Sequence, residues 1–102
     1  MSDPGSDPTV RRLRNEISDL DRAIVDAVNA RLALVAQLRR HKASKGIPFV
    51  DPDRERELLD DAAGANRGPL SAEGLREFYG ALLDLMKREV EREESESKPP
   101  DR

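Results

Sequence analysis

Residues 9–45 read TVRRLRNEISDLDRAIVDAVNARLALVAQLRRHKASK, and this stretch decides the fold. Apolar side chains fall at Val10, Leu13, Ile17, Leu20, Ile24, Val28, Val35 and Leu38. The steps alternate between three and four, which is the stripe of an amphipathic helix, close to heptad spacing. No Pro or Gly interrupts the run before Gly46. The periodicity predicts one helix from Thr9 to Lys45, roughly 50 Å long at the usual rise per residue. A compact monomer of about 100 residues has a radius of gyration near 13 Å. A helix this long therefore needs a partner to cover its stripe.

One tooth of the stripe is missing. Arg31 stands between Val28 and Val35, where the pattern asks for an aliphatic side chain. Eleven residues later Lys42 returns to the same face, because eleven steps of 100° come to three turns plus about 20°. Cations on an inner face need an answering charge, since an unpaired buried charge is costly. Three answers are open: a carboxylate from a neighbouring helix, escape of the charged heads to water, or an anionic ligand. Arg14 adds a third cation 17 residues before Arg31, roughly 25 Å up the same helix. Arg14 and Arg31 of one straight helix cannot grip one small ligand. They can share one only if a second copy packs antiparallel, which predicts two equivalent sites per dimer.

Outward from this helix, Gly46-Ile47-Pro48 supplies a stop, with Gly46 suited to the left-handed position after a helix end. Asp51-Pro52 then starts a short helix, with Asp51 as N-cap and Pro52 in the first turn. It is expected to run to about Ala63 and to stop at Gly64. Residues 64–69 read as a loop. Ser71 caps a third, medium-length helix over about 72–94, whose apolar face is Leu75, Phe78, Tyr79, Leu82, Leu83, Met86 and Val90. Residues 1–8 and 95–102 read as disordered tails around one helical domain, 9–94. Met1–Pro8 has no apolar core of a signal peptide, and no 18-residue apolar run exists to cross a membrane. A cytoplasmic location is the expectation.

Composition narrows the chemistry. Aromatic residues make up 3% of the 102-residue chain, too few to stack on bases, and the net charge of −3 argues against a nucleic-acid module. With no Cys, disulfides, thiol catalysis and Cys-ligated metal are excluded.

The run Leu13-Arg14-x-x-Ile17-x-x-Leu20-Asp21-x-x-Ile24, followed by Arg31, Lys42 and Gly46-x-Pro48-x-x-Asp51-Pro52-x-Arg54-Glu55, resembles the all-helical chorismate mutase family. The combination of spacings 17, 11, 9 and 3 between Arg14, Arg31, Lys42, Asp51 and Arg54 carries the resemblance, which covers about residues 10–92. It implies an all-α fold of three helices per chain, intertwined as a homodimer with shared active sites. It implies rearrangement of chorismate to prephenate in the shikimate pathway, toward the aromatic amino acids, with no metal and no cofactor. By the same resemblance Arg14 from one protomer and Arg31 from the other bind the two substrate carboxylates. Lys42 donates to the ether oxygen. Asp51, the backbone near Arg54, and Glu55 hold the ring hydroxyl.

The last helix departs from the family pattern. A second ether-oxygen donor, Gln or a protonatable Glu, is expected there, with a small polar residue four positions earlier. Ungapped reading from Gly68-Pro69 puts Val90 and Met86 at those places. A one-residue slide puts Glu89 at the donor position and Leu85 at the other. Met86, Glu89 and Val90 are thus the candidate lining from this helix. Three consequences are open: catalysis on Lys42 and the arginines alone, entry of Glu89 through a local distortion, or a different substrate. A Met at the earlier position also resembles relatives that act on aminodeoxychorismate, and isochorismate pyruvate lyases share the fold. Some family members are poorly active alone and are stimulated by the first enzyme of the pathway, which makes that enzyme a candidate partner. His41, about 100° from Lys42 around the helix, and Tyr79 read as structural. The stretch Lys87–Glu94 reads as a solvated face with i,i+4 ion pairs.

Overall fold

The structure is a computed structural model that describes residues 7–97, with side chains through residue 95. Its helices are α1 Pro8–Lys45, α2 Pro52–Ala65 and α3 Ala72–Ser97, and no strand occurs among the described residues. The long–short–medium order and the all-α class match the expectation from spacing. The chain divides into two units, Met1–Ala33 and Leu34–Arg102. α1 runs through both, so each unit is described by itself.

The described part of the first unit is helix almost from its start. Asp7 is the cap: its Oδ1 accepts from the Thr9 and Val10 N–H groups at 2.8 and 3.1 Å. Pro8 follows in the first turn, where a missing N–H costs nothing. Asp7 and Pro8, expected in a disordered tail, therefore belong to the helix start; residues 1–6 lie outside the described residues. Along this unit the stripe faces solvent: Leu13, Ile17, Leu20, Ile24 and Val25 are each about half exposed, from 46 to 64%. Covering an aliphatic side chain is worth about 1.5–3 kcal/mol, so the unit carries a large unanswered driving force for association.

The second unit has its own core. Leu75, Leu83, Met86 and Val90 of α3 and Ala36 of α1 are buried, while Leu58, Leu59, Ala62 and Ala63 of α2 are half-buried. α2 packs against α3. Two ion pairs give the direction: Glu55, early in α2, meets Lys87 late in α3 at 2.5 Å, and Asp60 meets Arg76 near the start of α3 at 3.7 Å. The two helices are therefore antiparallel.

Local chemistry sets the helix ends. At the end of α1, Gly46 takes φ +68°. The Gly46 N–H donates to the Ala43 carbonyl at 3.3 Å and the Ile47 N–H to the Lys42 carbonyl at 2.8 Å. This is the Schellman pairing, which satisfies carbonyls the helix leaves open. The Asp51 cap forms as expected, with Oδ1 accepting from the Arg54 N–H at 3.2 Å. Ser71 Oγ accepts from the Gly74 N–H at 3.0 Å.

Two boundaries differ from expectation. α2 does not stop at Gly64 but continues to Ala65, and Asn66 closes it. The Asn66 N–H reaches the Ala62 carbonyl at 3.0 Å, its Nδ2 donates to the Leu70 carbonyl at 2.8 Å, and its Oδ1 accepts from the Gly68 N–H at 3.0 Å. That polar closure outweighs the roughly 1 kcal/mol cost of a helical Gly. α3 likewise extends past Glu94 to Ser97, because Glu93 and Glu94 are held by Arg40 and Arg39 of α1 at 3.9 and 3.0 Å. Residues 98–102 of the expected C-terminal tail lie outside the described residues.

Leu75 is 7% exposed at the start of the α3 core. Leu75→Ala should lower stability by about 2–5 kcal/mol, the usual cost of such a cavity. Urea denaturation reads this as a lower midpoint at unchanged slope, and an unmoved midpoint would take Leu75 out of the core.

Candidate functional site

In the first unit the candidate residues are Arg14 and Arg31. Arg14 is exposed and Arg31 half-buried. Among the described residues neither side chain forms an ion pair or a hydrogen bond, although the helix has acids within reach of other cations. Arg12 pairs with Glu16 at 3.4 Å and Arg22 with Asp19 at 3.2 Å. Neutralisation of Arg14 and Arg31 by the chain's own carboxylates, one of the three answers open from sequence, is not what the described residues do.

In the second unit the candidates are Lys42, Asp51, Arg54, Glu55, Met86, Glu89 and Val90. Lys42 is half-buried and forms no ion pair among the described residues. Its Nζ donates to the Phe49 carbonyl at 3.3 Å. The ammonium thus lies against the linker that leads to Asp51, with two further donor hydrogens left. Asp51 Oδ1 is occupied by the Arg54 N–H. The Arg54 side chain turns to solvent and meets Glu57 at 3.1 Å, so near Arg54 it is the backbone that belongs to the helix N-terminus. Glu55 lies one turn further on and is bridged by Lys87, both being about 30% exposed.

α3 presents unlike groups at the departing positions. Met86 and Val90 are 3% and 2% exposed and face the core. Glu89 points elsewhere: Arg92 donates to its Oε1 at 2.8 Å, on a side chain 30% exposed. α3 runs without a break through this region, so no local distortion swings Glu89 to the Val90 side.

Several contacts escaped the sequence reading. Arg39 stacks over the Phe49 ring, 4.9 Å from guanidinium carbon to ring centroid, while its Nη2 donates to Glu94 at 3.0 Å. Lys87 crosses to α2. The stretch Lys87–Glu94 is therefore not simply a solvated face: Lys87, Glu93 and Glu94 pair across helices, and the pair within it, Arg92–Glu89, is i,i+3. The available signal was that Arg39 lies one turn before Lys42.

A cleft of about 70 Å³ lies between Ala36, Arg39, Arg40, Val90, Glu93 and Glu94. Sites that enclose a small organic ligand measure about 300–1,000 Å³, so this cleft does not hold one. No group of three or more His, Asp or Glu suited to a metal ion occurs among the described residues, and no helix is long and apolar enough to cross a membrane.

Comparison with known proteins places this geometry. The sequence profile described as chorismate mutase type II matches residues 13–91. A 4-amino-4-deoxychorismate mutase from Streptomyces venezuelae is 35% identical over 81 residues, which cover 78% of each chain. Two structures of a chorismate mutase from Thermus thermophilus, form II and form I, superpose with TM-scores of 0.79 and 0.75, each at 28% identity. They cover 82% and 76% of this chain and 96% and 98% of theirs. With the family pattern spanning the residues from Leu13 to Glu91, the chain belongs to the chorismate mutase type II family of isomerases.

Proposed function

We propose that the protein converts chorismate to prephenate by intramolecular rearrangement, as a cytoplasmic homodimer serving the shikimate pathway. The observation that carries this reading is a set of three cations, Arg14, Arg31 and Lys42, without a carboxylate partner among the described residues of an acidic chain. The substrate is a dicarboxylate. A guanidinium receives a carboxylate through two parallel hydrogen bonds, which fix orientation as well as position.

The reaction breaks the ether C–O bond and forms a C–C bond within one molecule, with no group transferred to the protein. The protein's task is to hold the folded conformer and to answer charge as it develops. Gripping both carboxylates removes conformational entropy from the barrier. Lys42, set against the Phe49 carbonyl with donor hydrogens to spare, stabilises the negative charge that builds on the departing oxygen. An interaction stronger in the transition state than in the ground state accelerates the step itself. The ring hydroxyl is assigned to Asp51, the Arg54 N–H region and Glu55. Val90 and Met86, apolar and buried, leave Lys42 as the donor to the ether oxygen. A slow basal rate, raised by the pathway's first enzyme, is the form of this reading in which that enzyme is a partner.

Two constraints support the dimer. Arg14 and Arg31 lie roughly 25 Å apart on one helix, too far to hold one substrate, and the aliphatic stripe between them is exposed. An antiparallel second copy answers both.

A second reading takes 4-amino-4-deoxychorismate as substrate, favoured by the buried Met86 and by the activity in the Streptomyces venezuelae relative's name. Against it, Lys87 already neutralises Glu55, which weakens the pull on a ring ammonium and suits a neutral hydroxyl. Assays of chorismate, 4-amino-4-deoxychorismate and isochorismate side by side test the choice. Chorismate should give the highest kcat/KM, with prephenate as product; a higher value for the amino substrate would reassign the enzyme.

Lys42→Ala should lower kcat about 10²–10³-fold, the usual loss for one such donor; full activity in that variant would refute the site. Glu89→Gln should leave kcat within about twofold, since a surface-paired side chain takes no part in transition-state stabilisation. A large loss would return Glu89 to the mechanism. Arg14→Ala and Arg31→Ala dimers should each be nearly inactive, yet regain about a quarter of wild-type activity when unfolded and refolded together, because half the dimers are mixed and carry one intact site. A mixture that stays inactive would mean each site is built within one chain.

A further inference from the structure

We propose that Arg39 is a positioning residue for the Lys42 ammonium, acting through Phe49; the proposal rests on the function given above. Three contacts form a line. Glu94 on α3 accepts from Arg39 Nη2 at 3.0 Å, the Arg39 guanidinium lies 4.9 Å from the centroid of the Phe49 ring, and the Phe49 carbonyl accepts from Lys42 Nζ at 3.3 Å.

Each link has a physical reason. A lysine side chain is a point charge on a long, freely rotating stem, so its head needs an external anchor to keep a fixed position. The Phe49 carbonyl is that anchor. It sits in the short linker between the Schellman end of α1 and the Asp51 cap, and its own position needs fixing. The flanking Ile47 and Val50 are about half exposed, at 48 and 52%, so they tie the linker down only weakly. Phe49 is the half-buried side chain of this linker. Its ring is met by Arg39, whose planar face is attracted to the ring quadrupole. Arg39 is already engaged on two sides, donating Nη2 to Glu94 and laying its face on Phe49, and its side chain is 24% exposed. It is therefore not equipped to take a substrate carboxylate as Arg14 and Arg31 are. Its effect on the reaction runs through the placement of Nζ.

Kinetics with chorismate on the whole chain test this. Arg39→Ala should lower kcat at least about tenfold, as expected for a displaced catalytic group, with KM within about twofold. Phe49→Leu, which keeps the carbonyl and removes the ring, should reproduce that loss. Arg39→Lys keeps a cation over the ring and should recover most of it. In a Lys42→Ala background neither Arg39→Ala nor Phe49→Leu should reduce kcat further. NMR of the lysine ammonium groups, without substrate, should show the Lys42 signal moved in Arg39→Ala and that of Lys45 unmoved. Wild-type kcat in both single variants, or a loss that persists undiminished without Lys42, would overturn the proposal while leaving the mutase reading intact. Full activity of Lys42→Ala would overturn both, and an unmoved Lys42 signal would overturn the positioning role whatever the kinetics.

Discussion

An aliphatic stripe that lies in water and is interrupted by cations is the constraint on which everything else turns. In the first unit the stripe residues from Leu13 to Val25 stay about half exposed, and the arginines set among or beside them, Arg14 and Arg31, find no carboxylate among the described residues. Two costs are thereby left open, one hydrophobic and one electrostatic. Filling the gap at position 31 with another aliphatic residue would have improved the seam and removed the charge. Its retention as Arg is understood on the proposed reading, in which a second copy covers the stripe and a doubly charged guest answers the cations.

The second unit solves a different problem. It assembles a small core on α3 and surrounds it with ion pairs that cross between helices. Most of these pairs are exposed, and each contributes little on its own. Their value lies in register: Glu55–Lys87 and Asp60–Arg76 set α2 against α3, and Arg39–Glu94 with Arg40–Glu93 set the end of α1 against the end of α3. Lys42, Phe49 and the Asp51 cap are all held by elements whose mutual placement these pairs specify. Chemistry that depends on an ammonium meeting one oxygen is sensitive to shifts of about 1 Å, so register is the quantity such a unit must protect.

How much was legible beforehand differs by feature. Helix periodicity gave the three elements, and the Gly46, Asp51 and Ser71 ends followed from local chemistry that operates within a few residues. The family membership was legible from the spacing of Arg14, Arg31, Lys42, Asp51 and Arg54, and the profile over residues 13–91 supports it. The roles assigned to those side chains stay proposals. What sequence reading missed lies at longer range. Gly64 looked like a terminator because the Asn66 closure that carries the helix past it depends on a carbonyl at Leu70. Lys87, Glu93 and Glu94 looked like solvated charges because their partners, Glu55, Arg40 and Arg39, are more than thirty residues away. Arg39 was visible as one basic residue among several, but a ring beneath its guanidinium has no signature in spacing.

The segment from Lys42 to Asp51 is pinned at both ends, by paired amides at Gly46 and Ile47 and by a carboxylate over the first turn of α2. Between those pins the chain has only three residues, Pro48, Phe49 and Val50. It therefore acts as a spacer of set length, and a lineage can change its side chains far more readily than it can add or delete a residue there. The turn from Asn66 to Leu70 carries no candidate residue and sits at the opposite end of α2. Insertions and deletions among related chains should accumulate in that turn, and the interval between the lysine and the aspartate should keep its count.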